Sequence, residues 1–319
     1  SNFFRYFVLN FNKLGLKQII TTSYKPSPVA NTQLELFGDD KTLTKSKGRP
    51  KINANKFIIN EVGDMNDDGE FNLKDVALQL RANKHNEWMP LEGEGDFRSD
   101  ECINLLKQSD IVVTNPPFSL FREYVGQLFD HNKKFVIIGN MNAITYKEIF
   151  PLIKENKMWL GNGFHAGNAY FSTPLAKEYG EGVYMPETGL VKFRNVCWFT
   201  NIDHGRRHQP LPLMTMQENL KYSKHKEIKG KTSYDKYDNY DAIEVSFTDA
   251  IPSDYNGVMG VPISFLDKYN PDQFEIIGMA EDNGKGFSGG IWDGKNPHCV
   301  VNGLNKFKRI FIKHKKVGK

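Results

Sequence analysis

From Phe3 to Asn201 the apolar residues switch repeatedly between helical and strand spacing, and that alternation constrains the fold more than any other feature. Phe3, Phe4, Phe7, Phe11 and Leu14 fall near helical spacing, with Gly15 as the stop. Residues 17–24 (KQIITTSY) read as a buried strand and residues 75–84 (DVALQLRANK) as a short helix. Residues 93–99 (GEGDFRS) end a strand, and residues 100–108 (DECINLLKQ) form a helix opened by Asp100 as its cap. Next come a strand (DIVVT), a helix (LFREYVGQLF), a strand (KKFVIIGN), a helix capped by Thr145 (TYKEIFPLIKEN) and a strand (VKFRNVCWFTNI). Short strands with helices between them predict an α/β fold with a doubly wound, mostly parallel sheet. Such sheets bind ligands beyond the carboxyl ends of their strands. After His204 the pattern loosens into short strands, turns and lysines, which places a domain boundary at 203/204 and an α+β region over 204–319.

Composition excludes several classes. With 39% hydrophobic and 25% charged residues and no run of eighteen apolar ones, the chain reads as globular, with no membrane span. Cys102, Cys197 and Cys299 are odd in number and far apart, which argues against a disulfide framework and a zinc site and for a cytoplasmic setting. The net charge of +4 is uneven: residues 1–203 balance, and 204–319 carry the whole excess. A solvated lysine-rich surface explains that excess as readily as a polyanionic partner does.

One loop carries specific chemistry. The strand DIVVT runs into Asn115, Pro116, Pro117 and Phe118. Neither proline has an amide hydrogen and both fix φ, so the loop is stiff and offers mainly acceptors: the Asn115 side-chain oxygen and the Pro116 carbonyl. Phe118 adds a flat apolar face. A planar ring bearing an exocyclic amine matches this layout, since it donates two hydrogens and stacks on the phenyl group. Two acceptors out of the amine plane favour a tetrahedral nitrogen and release its lone pair for attack on a methyl group.

TNPPF resembles the amine-binding motif of S-adenosylmethionine-dependent amino-methyltransferases. Residues 1–7, 93–99, 110–124, 137–157, 162–169, 191–204 and 257–271 are similar to EcoRI-type adenine-specific DNA methyltransferases. The resemblance implies that Asn115 and Pro116 accept the target amine while Phe118 stacks on a flipped adenine. It implies that Asp96 accepts from the adenine amine of S-adenosylmethionine and that Phe97 packs on that ring. Ser23 and Tyr24 stand where the family has a ribose-binding acid. Asp96 reads equally well as a turn residue or helix cap. In the family a first strand and cofactor motif precede the first helix, so they are expected upstream of Ser1, and about 25–90 reads as an insertion in a methyltransferase domain spanning 1–203.

Two further stretches admit two readings each. Residues 64–75 (DMNDDGEFNLKD) place Asp64, Asn66, Asp68, Glu70 and Asp75 at calcium-loop spacing with Gly69 sixth, which suits a structural calcium ion. An acidic turn leading to a helix capped near Asn72 or Asp75 explains the same residues. Residues 46–52 (SKGRPKI) resemble a minor-groove hook, or are a solvated loop. In the C-terminal region Arg206, Arg207, Lys221, Lys224 and Lys226 are the candidate DNA contacts, with Tyr222, Tyr234, Tyr237 and Tyr240 interleaved for stacking.

The resulting expectation is a site-specific DNA adenine-N6 methyltransferase of restriction-modification type. It would act on double-stranded DNA, with a cognate restriction endonuclease as a further partner. A protein glutamine methyltransferase and a non-catalytic DNA-binding module are the alternatives.

Overall fold

The computed structural model describes residues 2–25, 54–82, 85–162, 168–172, 176–281 and 286–315. The minor-groove-hook motif and residues 26–53 of the expected 25–90 insertion lie outside them. The fold is mixed α/β, with both parallel and antiparallel pairing. Two compact units form: Ser1–Thr114 with Gln127–Lys133, and Asn115–Gly126 with Lys134–Lys319. Among the described residues, no helix is long and apolar enough to cross a membrane.

In the first unit, helix α1 (Asn2–Leu9) precedes strands β1 (Ile19–Thr22) and β2 (Asn55–Ile59), helix α2 (Leu73–Ala82), strand β3 (Glu87–Pro90), helix α3 (Asp100–Gln108) and strand β4 (Ile111–Thr114). The order β1-β2-β3 is antiparallel throughout. Phe4, Val8 and Phe11 seat on Phe57, Ile59, Val76 and Leu80; of the residues read at helical spacing, Phe4 and Phe11 line this core, while Phe3 and Phe7 are half-buried. Each fully buried side chain of this size contributes about 1.5–3 kcal/mol. Leu14 is exposed, because the helix ends at Leu9 and the chain turns toward Gly15, whose φ is +63°.

Two local expectations in this unit need correcting. Helix α3 is capped by Ser99, whose hydroxyl accepts from the Cys102 amide, and Asp100 is already its first residue. Residues 93–99 do not end a strand: β3 stops at Pro90, and Gly95 turns the chain at φ +77°.

Helix α4 (Phe121–Asp130) starts in the second unit and runs into residues of the first; the second unit continues with strand β5 (Lys134–Asn140), a 3-10 turn (Met141–Thr145) and helix α5 (Phe150–Lys154). Thr145 therefore closes the turn and is not the cap of a long helix. Pro151 explains the break, since proline is tolerated in a first helical turn and not inside a helix. Strands β6 (Trp159–Leu160), β7 (Ala169–Phe171), β8 (Tyr184–Met185), β9 (Leu190–Phe193) and β10 (Val196–Thr200) follow. The single strand expected over 191–202 is thus two strands of different sheets, split where Asn195 turns at φ +56°. Strand β10 pairs antiparallel with both β5 and β6.

Helix α6 (Met216–Tyr222) then precedes strands β11 (Ile243–Glu244), β12 (Met259–Pro262), β13 (Phe274–Met279), β14 (Val300–Val301), β15 (Leu304–Asn305) and β16 (Arg309–His314). A sheet in the order β11-β12-β16-β13 carries the C-terminal core, and only its β11–β12 pair is parallel. Tyr237, Tyr240 and Phe311 pack together there. Beneath them the Arg309 guanidinium meets the Glu244 carboxylate at 2.5 Å, both groups buried, with the Tyr237 hydroxyl donating to the same carboxylate. Helix α6 opens with a reciprocal capping box between Thr215 and Glu218.

Candidate active site

The 115–118 loop leaves strand β4 and enters a 3-10 turn at Phe118–Leu120. Pro116 is buried and anchors it, whereas Asn115, Pro117 and Phe118 are exposed. The Leu120 amide donates to the Pro117 carbonyl at 3.0 Å. Among the described residues, no hydrogen bond engages the Asn115 carboxamide or the Pro116 carbonyl. The two acceptors singled out from sequence are therefore available, on a backbone that proline holds rigid.

Three residues past Phe118, Phe121 is fully buried against Phe199 with ring centroids 5.0 Å apart. Gly139 of β5 makes room for that ring: a β-carbon at Gly139 would meet Phe121 Cε2 at 2.6 Å and Phe199 Cε2 at 2.8 Å. Phe121 thus pins the helical end of the loop. The sequence reading missed this pair, although a glycine inside the apolar strand FVIIGN signals a close approach.

In the first unit, the 95–97 loop shows its own arrangement. Asp96 Oδ1 accepts from the Arg98 amide and Nε at 2.9 Å each, and Oδ2 accepts from Arg98 Nη2 at 2.7 Å. The Arg98 side chain and amide together hold the Asp96 carboxyl below its ordinary range. Its carbonyl also accepts from Ser99, so the turn-residue reading of Asp96 is realised in full. The guanidinium of Arg98 also lies 5.4 Å from the Phe97 ring centroid.

The structure brings Ser23 and Tyr24 to this loop. A β-carbon on Gly95 would meet the Ser23 carbonyl at 2.0 Å, and the Lys25 amide donates to the Glu94 carbonyl at 2.8 Å. The Ser23 hydroxyl itself is buried and accepts from the Asn55 amide at 2.8 Å, while Tyr24 is exposed. Glycine is required at position 95 both by its φ and by this approach.

The comparisons with known proteins bear on these loops. Residues 1–315 match the family described as adenine-specific methyltransferase EcoRI. The chain belongs to that family. It is 41% identical to the type II methyltransferase M.EcoRI of Escherichia coli, across 100% of this chain and 84% of that protein. It is 34% identical to M.MgeORF184P of Mycoplasma genitalium and to M.MpnI of Mycoplasma pneumoniae, each over 87% of this chain and 71% and 70% of those proteins. No solved structure matches the chain. As a member of the EcoRI methyltransferase family, the protein is an adenine-specific methyltransferase of restriction-modification type and uses S-adenosylmethionine.

In this methyltransferase the 64–75 loop does not gather its carboxylates around a cation. Asp64 accepts from the Asn66 and Gly69 amides, Asn66 from Asp68, and Asp68 from Glu70. Asp75 is fully buried and accepts from the Met65 amide at 3.0 Å and the Asn72 amide at 2.8 Å. Burial works to raise the Asp75 carboxyl, but the backbone donors outweigh it and hold it below its ordinary range. Asn72 in turn accepts from the Lys74 amide, so it and Asp75 cap helix α2 reciprocally. Among the described residues, no group of three or more His, Cys, Asp or Glu side chains is placed to hold a metal ion. The calcium expectation for Asp64, Asn66, Asp68, Glu70 and Asp75 is corrected to a capped acidic turn.

The basic residues of the methyltransferase divide sharply. Arg207 is buried, stacks 3.6 Å from the Trp159 ring centroid, and pairs with Asp203 and the Asn156 side chain. Burial lowers its proton affinity more than Asp203 restores it. Arg206 bridges Asn162 at 2.7 Å and Asp267 at 2.9 Å. Lys224 is mostly exposed and meets Asp249 at 2.7 Å, Lys221 lies over the Tyr222 ring at 4.9 Å, and Lys226 is exposed. Tyr234, Tyr237 and Tyr240 are core residues and not a stacking platform, and only Tyr222 of the four stands out in solvent. Their interleaving with lysine reflects alternating burial in the chain 234–240.

Proposed function

We propose that this methyltransferase transfers a methyl group to the N6 amine of an adenine turned out of double-stranded DNA, with the 115–118 loop holding that amine. The observation that supports this most is the pair of available acceptors, Asn115 Oδ1 and the Pro116 carbonyl, beside the exposed Phe118 ring. An adenine amine is a poor nucleophile because its lone pair is delocalised into the ring. Accepting both amine hydrogens out of the ring plane localises that lone pair on nitrogen. The prolines make these acceptors effective, since a rigid dipole needs no reorganisation as charge develops. Phe118 keeps the flipped base stacked while its Watson–Crick edge is held. As the new nitrogen–carbon bond forms, the amine proton becomes acidic and leaves to water, so the loop supplies no general base.

S-adenosylmethionine, when bound, supplies an electrophilic methyl group on a positively charged sulfur. The donor set of the 95–97 loop suits its adenine: Asp96 Oδ2 carries one hydrogen bond and retains a lone pair for an exocyclic amine. Arg98 keeps that carboxylate ionised and in one orientation. Phe97 offers a ring face beside it, and Tyr24 a hydroxyl for the ribose; Ser23 contributes its carbonyl wall and not its hydroxyl. In this reading residues 1–203 form the methyltransferase domain and residues 204–319 the target-recognition region. Of the basic candidates, Lys221, Lys224 and Lys226 suit phosphate contact, with Arg206 and Arg207 holding the region's internal structure. The enzyme works where host DNA lies, in the cytoplasm, and protects sites that a cognate endonuclease cuts.

Methyl transfer to unmethylated plasmid DNA tests the reading. Transfer by the wild-type chain, abolished in Asn115→Ala with duplex binding retained, is the expected result. Full activity in Asn115→Ala, or methylation of protein glutamine and not of DNA, contradicts it.

A further inference from the structure

The most exposed large apolar side chain in the described structure is Phe307, at 86%, followed by Leu304 at 66%. Both lie on one short strap, residues 304–308, whose sequence Leu-Asn-Lys-Phe-Lys is basic and without acid. An isolated exposed phenylalanine needs no explanation. This one sits on backbone that is tied down on both sides, and that combination does need one.

Ahead of the strap, the β14–β15 hairpin turns through Asn302 and Gly303, at φ +51° and +74°. The Asp238 carboxylate holds that turn, accepting from the two amides at 3.2 Å and 2.8 Å. Within the strap, the Lys306 amide donates to the Cys299 carbonyl at 2.7 Å. Immediately after it, Arg309 donates from Nη1 to the Phe307 carbonyl at 3.4 Å while its remaining nitrogens engage buried Glu244. A ring that is presented to solvent from fixed backbone loses little entropy on meeting a partner.

Charge selects the partner. Lys306 and Lys308 flank the ring in sequence. Lys306 also lines a cavity of about 240 Å³ in which Glu227, Asp235 and Glu244 stand with Lys231, so the cavity itself is acidic and the cationic face of the strap is that of Lys306 and Lys308 beside the ring. An apolar wedge between cations matches a stacked base step between phosphates, where a phenylalanine or leucine inserts and lysines neutralise the backbone.

We propose that the 304–308 strap is a DNA-contacting element in which Phe307 stacks against a nucleobase and Lys306 and Lys308 neutralise the adjoining phosphates. This rests on the reading that the enzyme acts on duplex DNA. It adds a contact that is separate from the adenine-holding loop.

The test is equilibrium binding of the full chain to a short fluorescein-labelled duplex of mixed sequence, run beside methyl transfer to unmethylated plasmid. Phe307→Ala weakens duplex binding by about tenfold, as for loss of one base–aromatic stack, and Phe307→Trp restores it. Lys306→Gln lowers the salt dependence of the same binding. Since Phe307 is exposed, the melting temperature of Phe307→Ala stays at the wild-type value. Wild-type affinity in Phe307→Ala overturns the proposal. So does an altered sedimentation coefficient at unchanged duplex affinity, which assigns the strap to a contact between copies of the chain. Phe307-dependent binding by a wild-type chain that leaves the plasmid unmethylated keeps the strap and defeats the methylation reading.

Discussion

The 64–75 loop and the 115–118 loop both looked like ligand sites from their residues, and the structure separates them by one criterion. In the acidic loop the side chains of Asp64, Asn66, Asp68, Asn72 and Asp75 already accept from amides of the same loop. In the other loop, the Asn115 carboxamide and the Pro116 carbonyl have no partner among the described residues. Spacing alone does not distinguish the two cases, because aspartate and asparagine serve their own backbone as readily as they serve a cation. What distinguishes them is whether the backbone can supply donors. Glycine and ordinary residues in the acidic loop supply seven, whereas consecutive prolines supply none.

The same contrast orders the effects expected of substitutions. Glu244 is buried and accepts from Arg309, Tyr237 and Ser246, so Glu244→Ala, which strands Arg309 in the core, is expected to cost about 3–5 kcal/mol in denaturant unfolding. A melting curve indistinguishable from wild type would break the rule that engaged groups are structural. Asp75→Ala leaves two amides without acceptors and is expected to cost about 1–3 kcal/mol, with methyl transfer intact below the melting temperature. Calcium and chelator are expected to leave the wild-type melting temperature unchanged. Gly139→Ala sharpens the comparison from the other side. It pushes on Phe121 and costs about 1–3 kcal/mol by overpacking, and it slows transfer by shifting the loop that Phe121 pins.

The smallest effect concerns His208, whose ring bonds to Asp272 and Asp203, with the Asp272 bond the larger cause of its raised proton affinity. A raised value means that its contribution is complete below the ordinary histidine range and fades as pH rises through the folded value. Thermal melts across that range are expected to show a shallower pH dependence in His208→Gln than in wild type.

Much of this was legible in the sequence. Periodicity located most strands and helices of residues 1–160, because their buried faces demand regular spacing. Its failures were local. Pro151 shortened a helix, Asn195 divided a strand, and Ser99 took the cap assigned to Asp100. The site loop was legible because proline chemistry does not depend on tertiary context. The fate of the basic residues was not. Arg207 and Lys226 look alike in sequence, and only packing shows that one is stacked on Trp159 and the other exposed. Gly139 and Gly95 were missed as positioning residues because a close approach involves a partner distant in the chain.

Single-turnover methyl transfer and thermal melting, measured together on Asn115→Ala and Asp75→Ala, separate the amine-holding loop from the self-capped acidic one. A crossed result is expected. Asn115→Ala loses transfer by about a hundredfold or more at an unchanged melting temperature, and Asp75→Ala melts earlier at an unchanged transfer rate. Wild-type transfer in Asn115→Ala, or a destabilisation there that matches the lost rate, would contradict it.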